Sequence, residues 1–177
     1  MFDAVAGSHG PTCGWLRPGM GGRQSGGMPT LLVVQHTPSP AVQAMLEAVL
    51  RGARHPEADS VTVVVRAALS ASAADVLEAD GLVLGTPANI GYMSGALKHF
   101  FDQVYYPCLE VTVGRPYGVY VHGNDDTAGA LKAIHGIASG LRWRRVSADV
   151  AVVGGPDRGA LEACTELGAL LALTVAG

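Results

Sequence analysis

Charge is scarce in this sequence, and so is cysteine. Only 15% of the 177 residues are charged and the formal net charge is −3, so the chain lacks the basic surface that nucleic acid or an anionic membrane would require. The three cysteines include no Cys-x-x-Cys pair, which disfavours a disulfide framework or a zinc centre and favours a reducing, cytoplasmic setting. No uninterrupted apolar run reaches the roughly 18 residues of a membrane span.

Several nucleotide-binding and catalytic motifs are also missing. The loop after the first predicted strand, His36 to Ala41, contains no glycine, which excludes the Gly-x-Gly-x-x-Gly fingerprint of a Rossmann domain. The chain has no Gly-x-x-x-x-Gly-Lys-[Ser/Thr] loop, and the spacing around Ser94 does not match the Gly-x-Ser-x-Gly nucleophile elbow. The sequence therefore points to neither a P-loop NTPase nor an α/β-hydrolase, and it predicts no metal ligands and no catalytic side chain.

The chain divides into two unequal parts. Residues 1–27 are rich in glycine and proline and show no hydrophobic period, so we expect a disordered N-terminal extension with no secretory signal. Residues 28–177 alternate regularly between apolar runs and amphipathic segments. With 49% hydrophobic residues overall, this part can bury one substantial core, and we expect a single domain.

The alternation predicts the fold class. Continuous apolar runs indicate strands buried on both faces, and 3.6-residue periodicity indicates helices. The predicted strands are 30–35, 60–66, 81–86, 115–123 and 146–155, and the predicted helices include 40–53, 71–79, 127–141 and 158–172. A further helix follows residue 94, with its apolar positions on one face. Five strands alternating with helices predict an α/β, flavodoxin-like three-layer sandwich with a five-stranded parallel sheet of order 2-1-3-4-5.

In such a sheet the ligand lies beyond the carboxyl ends of the strands. The loop "HTPSPA" offers hydroxyl groups and a helix N-terminus to an anion, without a cationic side chain; ordinary capping by Ser39 is the alternative interpretation. The loop "GTPANIG" after the third strand has almost no bulky side chain. A planar ring would suit such a loop, because backbone groups can approach the edge of the ring.

The stretch "GTPANIGYMSGALKHFFDQ" resembles the ring-binding segment of flavodoxin-like NAD(P)H:quinone oxidoreductases and NADPH-dependent FMN reductases. The residues that match the pattern of that group are Gly85, Thr86, Pro87, Gly91, Met93, Ser94, Gly95, Leu97, Lys98, Phe100, Phe101 and Asp102. The resemblance extends over roughly residues 29–173. It implies FMN bound noncovalently, NAD(P)H as co-substrate, a quinone-like or other small electron acceptor, and a homodimer.

The resemblance also implies which residues hold the cofactor. The phosphate would contact His36, Thr37, Ser39, Pro40 and Ala41. The isoalloxazine ring would lie along Thr86, Pro87, Ala88, Asn89, Ile90, Gly91 and Tyr92, and against His122, Gly123 and Asn124. Tyr92 and His122 are possible helpers, by stacking and by proton donation, but each can also be an ordinary loop residue. A single-electron carrier of the flavodoxin type, or a flavin-free interaction module, remain alternative functions.

Overall fold

The computed structural model describes residues 27–177, and a parallel β-sheet forms its centre. The predicted extension over residues 1–27 lies outside the described residues except for Gly27. Within the described part, the strands in chain order are β1 (Thr30–Gln35), β2 (Thr62–Ala67), β3 (Gly81–Asn89), β4 (Tyr92–Met93), β5 (Pro116–Gly123), β6 (Arg144–Arg145) and β7 (Val150–Val153).

The strand order confirms the predicted topology. The long strands run β2-β1-β3-β5-β7, and every neighbouring pair among them is parallel. The short strand β6 pairs with the start of β5 and β7 pairs with its end, so together they form one interrupted edge strand. The fifth strand is therefore shorter than the predicted 146–155. Strand β4 is antiparallel to the end of β3, a feature that the sequence analysis missed.

The helices cover both faces of the sheet. They are α1 (Pro40–Ala53), α2 (Ala73–Glu78), α3 (Gly95–Cys108), α4 (Ala128–Gly140) and α5 (Arg158–Ala176), with a 3-10 turn at Pro56–Ala58. Alternate residues of β1 enter opposite cores: Leu31 and Val33 pack with α1 and α5, whereas Leu32 and Val34 pack with α2, α3 and α4. This is the predicted three-layer sandwich.

Local sequence explains where several helices begin. Ser39, Ser72, Ser94 and Asp157 are N-cap residues whose side chains accept backbone N–H groups of the first turn. Ser72 and Asp75 also form a reciprocal capping box. These caps mark the residue at which each of the four helices begins.

Helix α5 is long and apolar enough to cross a membrane by length and composition alone. Part of its apolar surface packs in the core, and 28% of its apolar stretch is buried. A Cβ added at Gly168 would lie 2.0 Å from the carbonyl oxygen of Val49, and one added at Gly52 would lie 1.8 Å from that of Thr165. Helices α1 and α5 therefore meet in backbone contact, and the buried face of α5 includes Leu167 and Leu171.

Candidate functional site

The carboxyl ends of the strands surround a cavity of about 450 Å³, which we call the inner lobe. It is lined by residues from four loops or strand ends: Pro38, Ser39, Pro40, Ala41, Pro87, Ala88, Asn89, His122, Gly123, Asn124, Gly154 and Gly155. The structure thus brings together the three predicted loops. It adds a fourth loop, after β7, and the sequence signal for that loop is the Gly-Gly pair that follows an apolar strand.

The loop after β1 presents the N-terminus of α1 to the inner lobe. The Ser39 hydroxyl oxygen accepts a hydrogen bond from the Val42 N–H at 3.4 Å, so the capping interpretation of this residue is confirmed. Thr37 does not line the inner lobe, and its hydroxyl donates to the side-chain oxygen of Gln35. His36 is half-buried, and within residues 27–177 the buried Nδ1 atom of its ring has no hydrogen-bond partner. His36 also does not line the inner lobe.

The end of β3 forms a hairpin with β4. Ala88 pairs with Met93 and Asn89 with Tyr92, across a two-residue turn in which Ile90 has φ 51° and Gly91 has φ 69°. Two positive φ values are those of a type I′ turn, whose twist suits a tight hairpin. Strand β3 therefore continues to Asn89, past its predicted end at residue 86.

Two contacts fix the hairpin on the rest of the fold. At its base the Thr86 hydroxyl oxygen accepts from the Ser94 N–H at 3.1 Å, and Thr86 is fully buried. At its tip a Cβ added at Gly129 of α4 would lie only 2.0 Å from the Gly91 carbonyl oxygen. Thr86 therefore anchors the hairpin and does not line the inner lobe, while the tip rests on α4.

The hairpin tip also forms one wall of a second cavity of about 450 Å³, the outer lobe. Its lining residues are Ala88, Asn89, Ile90, Gly91, Asn124, Asp125 and Asp126. Three of these also line the inner lobe, so the two lobes adjoin and form one cleft. Tyr92 lines neither lobe; it lines an apolar cleft with Gly129 and Gly136 of α4, and this cleft adjoins the outer lobe at Gly91.

His122 occupies a defined orientation at the end of β5. Its Nε2 atom lies 2.7 Å from the carbonyl oxygen of Gly154, and the residue is 9% exposed. A carbonyl oxygen can only accept, so Nε2 carries the hydrogen and, in the neutral ring, Nδ1 offers a lone pair. The neutral ring therefore has its acceptor at Nδ1, and proton donation by His122 stays a prediction.

The loop after β5 is folded tightly against the strand. A Cβ added at Gly123 would lie 2.4 Å from the Asp126 carbonyl oxygen. The Asp126 carboxylate accepts from the Ala128 N–H at 3.0 Å, so it caps the start of α4. Neither lobe is lined by lysine or arginine among the described residues, and the cleft relies on backbone groups and neutral side chains near α1.

The two described cysteines, Cys108 and Cys164, lie away from the cleft. Burial raises the pKa of the Cys164 thiol to about 11 and also raises the pKa of the Cys108 thiol. Neither cysteine lines the cleft, so both are buried packing residues. Within residues 27–177 no three His, Cys, Asp or Glu side chains come together as a metal site would need.

Fold and site define a class: a flavodoxin-like α/β protein with a cleft at the carboxyl edge of its sheet. A sequence profile of the NADPH-dependent FMN reductase family matches residues 54–174. This is more than half of the chain, so the protein belongs to that family of flavodoxin-like flavoproteins. Its resemblance to this group, inferred above from the "GTPANIG" segment, is confirmed.

Individual relatives agree with this assignment. A flavodoxin from Aquifex aeolicus is 39% identical over 77 residues, which cover 44% of this chain and only 40% of that protein. Among solved structures, a WrbA-like flavodoxin from Agrobacterium tumefaciens has a TM-score of 0.69 at 21% identity, covering 83% of this chain and 97% of its own. An oxidoreductase from Corynebacterium diphtheriae has a TM-score of 0.64 at 20% identity, covering 84% and 97%. These structures share the fold.

Proposed function

We propose that this protein binds FMN noncovalently in the cleft and transfers electrons from NAD(P)H to a quinone-like or other small acceptor. The observation that carries the proposal is the cleft itself. At one end of the cleft lies the N-terminus of α1, and at the other end lies the hairpin, a wall of backbone and small side chains. Both ends are formed at the carboxyl edge of the sheet.

The α1 end of the cleft fits the phosphate of FMN. Backbone N–H groups of the first turn and the positive end of the helix dipole favour an anion here. The Ser39 oxygen accepts from Val42, which leaves its own hydrogen free to be donated to a phosphate oxygen. Ala41 lines the same end and contributes no bulk. Thr37 would contact the phosphate only after exchanging its Gln35 partner.

The hairpin end fits the flat ring. Ala88 and Asn89 line both lobes, and Pro87 lines the inner lobe. All three have little side-chain volume, and Gly154 and Gly155 have no side chain on the opposite side of the inner lobe. When bound, FMN supplies hydride and electron transfer, so the protein has to bind, orient and shield it. The anchored hairpin supplies fixed backbone groups, and the Nδ1 lone pair of His122 can accept a hydrogen bond from the ligand.

A single-electron carrier is the second candidate. It is supported by the partial match to a protein named flavodoxin, and the same cleft would serve both roles. The two functions differ in turnover: an oxidoreductase consumes NADH or NADPH with a small quinone, whereas a carrier does so only through partner proteins.

The experiment is an FMN titration of the purified full chain, followed by nicotinamide oxidation with menadione as acceptor. We expect flavin absorbance to be shifted on binding, FMN and not FAD to be released on heating, and NADH or NADPH to be consumed. Binding without nicotinamide consumption would favour the carrier. No measurable FMN affinity would overturn the proposal and favour a flavin-free module.

A further inference from the structure

We propose that the outer lobe selects flat electron acceptors that are neutral or cationic, through Ile90 on one wall and the carboxylates of Asp125 and Asp126 on the other. This inference rests on the proposed function and adds the charge class of the acceptor. The outer lobe faces solvent, since every lining residue except Ala88 is exposed. In this proposal an acceptor reaches a ring held at the hairpin by passing between these two walls.

Ile90 is an unusual residue for its position. Its φ of 51° lies in the left-handed region, where a β-branched side chain is strained and where asparagine or glycine is the ordinary choice in a type I′ turn. Its side chain is fully exposed. The turn is held in place by the Asn89–Tyr92 strand pair and by the contact of the Gly91 carbonyl with Gly129. The apolar side chain of Ile90 therefore projects from a fixed turn at the mouth of the cleft.

The opposite wall is negatively charged. The Asp126 carboxylate is positioned by its hydrogen bond from the Ala128 N–H, and Asp125 is exposed beside it. Within residues 27–177 neither carboxylate is part of a salt bridge. Lys132, on the helix that follows, lines the adjoining apolar cleft with Tyr92 and does not line the outer lobe. The two carboxylates are therefore the charged groups that line the outer lobe.

These walls favour one chemical class of acceptor. An aromatic or quinonoid face can pack against Ile90, while a positive substituent is attracted to the carboxylates and a negative one is repelled. Opposite and like charges within a solvated cleft change binding by a few-fold each, and the difference falls as salt screens the charges. A sulfonated quinone is accordingly the poorest ligand of a matched series, and a quinone bearing a quaternary ammonium group is the best.

The test uses three naphthoquinones with the same ring: menadione, a sulfonated analogue and an analogue with a quaternary ammonium group. Each is titrated into the oxidised FMN-loaded full chain, and the dissociation constant is read from the flavin difference spectrum without turnover. We expect the cationic and anionic analogues to differ by about tenfold at low salt and to converge at about 0.5 M sodium chloride.

Two variants test the charged wall. The double substitution Asp125→Asn and Asp126→Asn keeps an oxygen that can cap α4 and removes both charges. The ratio between the largest and the smallest dissociation constants of the three ligands should therefore shrink to about twofold. Asp59→Asn is the matched control, because Asp59 is exposed near the 3-10 turn before β2, at the opposite edge of the sheet. This control should leave the ratio of the dissociation constants unchanged. An unchanged ratio in the double variant would overturn the inference.

The apolar wall is tested by Ile90→Gly, which relieves the backbone strain and removes the side chain. We expect a higher melting temperature of the apoprotein together with a menadione dissociation constant that rises about threefold or more. Unchanged menadione affinity in this variant, or sulfonate binding as tight as menadione binding in the wild type, would overturn the inference alone. Failure of the wild type to bind FMN would overturn the proposed function as well.

Discussion

Replacing Gly129 by alanine would place a methyl group where the hairpin tip now rests. The new Cβ would lie 2.0 Å from the Gly91 carbonyl oxygen, and separations under 3.0 Å are essentially never seen for real Cβ atoms. The tip must therefore retreat by at least 3.0 − 2.0 Å, or about 1 Å. Overpacking of this kind costs about 1–3 kcal/mol, and the better helix propensity of alanine offsets up to about 1 kcal/mol of it.

The substitution should lower both the affinity for the cofactor and the stability of the fold. The displaced backbone of the hairpin forms a wall of both lobes, so we expect FMN affinity to fall about tenfold, equivalent to about 1.4 kcal/mol. The free energy of unfolding of the apoprotein should fall by no more than about 2 kcal/mol. FMN fluorescence quenching measures the first quantity, and thermal unfolding of the apoprotein measures the second.

Gly136→Ala provides the matched control on the same helix. A Cβ at Gly136 meets no atom within 4 Å, so this variant should be more stable by up to about 1 kcal/mol and bind FMN as the wild type does. Gly129→Ala and Gly136→Ala could instead bind FMN with dissociation constants within about twofold of each other. In that case the contact between Gly91 and Gly129 does not position the hairpin, and the reasoning is refuted.

The remaining predictions concern the turn, the extension and association. Gly91→Val should weaken FMN binding about tenfold, because a β-branched residue at φ 69° is strained although a Cβ there would meet no atom within 4 Å; unchanged titration would leave Gly91 without a binding role. A chain that starts at Met28 should bind FMN and melt like the full chain, since the first described strand begins at Thr30; a large fall in melting temperature would show that residues 1–27 stabilise the domain. Light scattering should report a homodimer, because Tyr106, Val111 and Val113 expose apolar side chains at the end of α3 and after it; a mass near 18.1 kDa at micromolar concentration would contradict this.

Much of the site could be located from the sequence, because its position follows from topology. Once five strands alternate with helices, the carboxyl ends of the parallel strands must share one edge, and the loops after β1, β3 and β5 must meet there. The roles of single residues are harder to predict from the sequence. Thr86 was predicted to contact the ring, yet strand alternation places it with Leu82 and Leu84 on the face covered by α3. His36 follows Val34 onto that same face.

The sequence by itself determined the local elements. Helix α1 could be delimited at residues 40–53 because Ser39, Pro40 and the apolar spacing of its buried face all act within a few residues of one another. Buried strands could be recognised for the same reason, since an apolar run is a property of neighbours in the chain.

Only the tertiary structure decided how the cleft is closed. His122 is oriented by the carbonyl of Gly154, 32 residues further along the chain, and the Gly91 carbonyl rests on Gly129. Such contacts depend on the register between strands and on the distance between helix and sheet, which are set by the packing of the whole core. No local pattern encodes them, because each partner residue alone is an ordinary histidine at the end of a strand or an ordinary glycine in a loop or in the first turn of a helix.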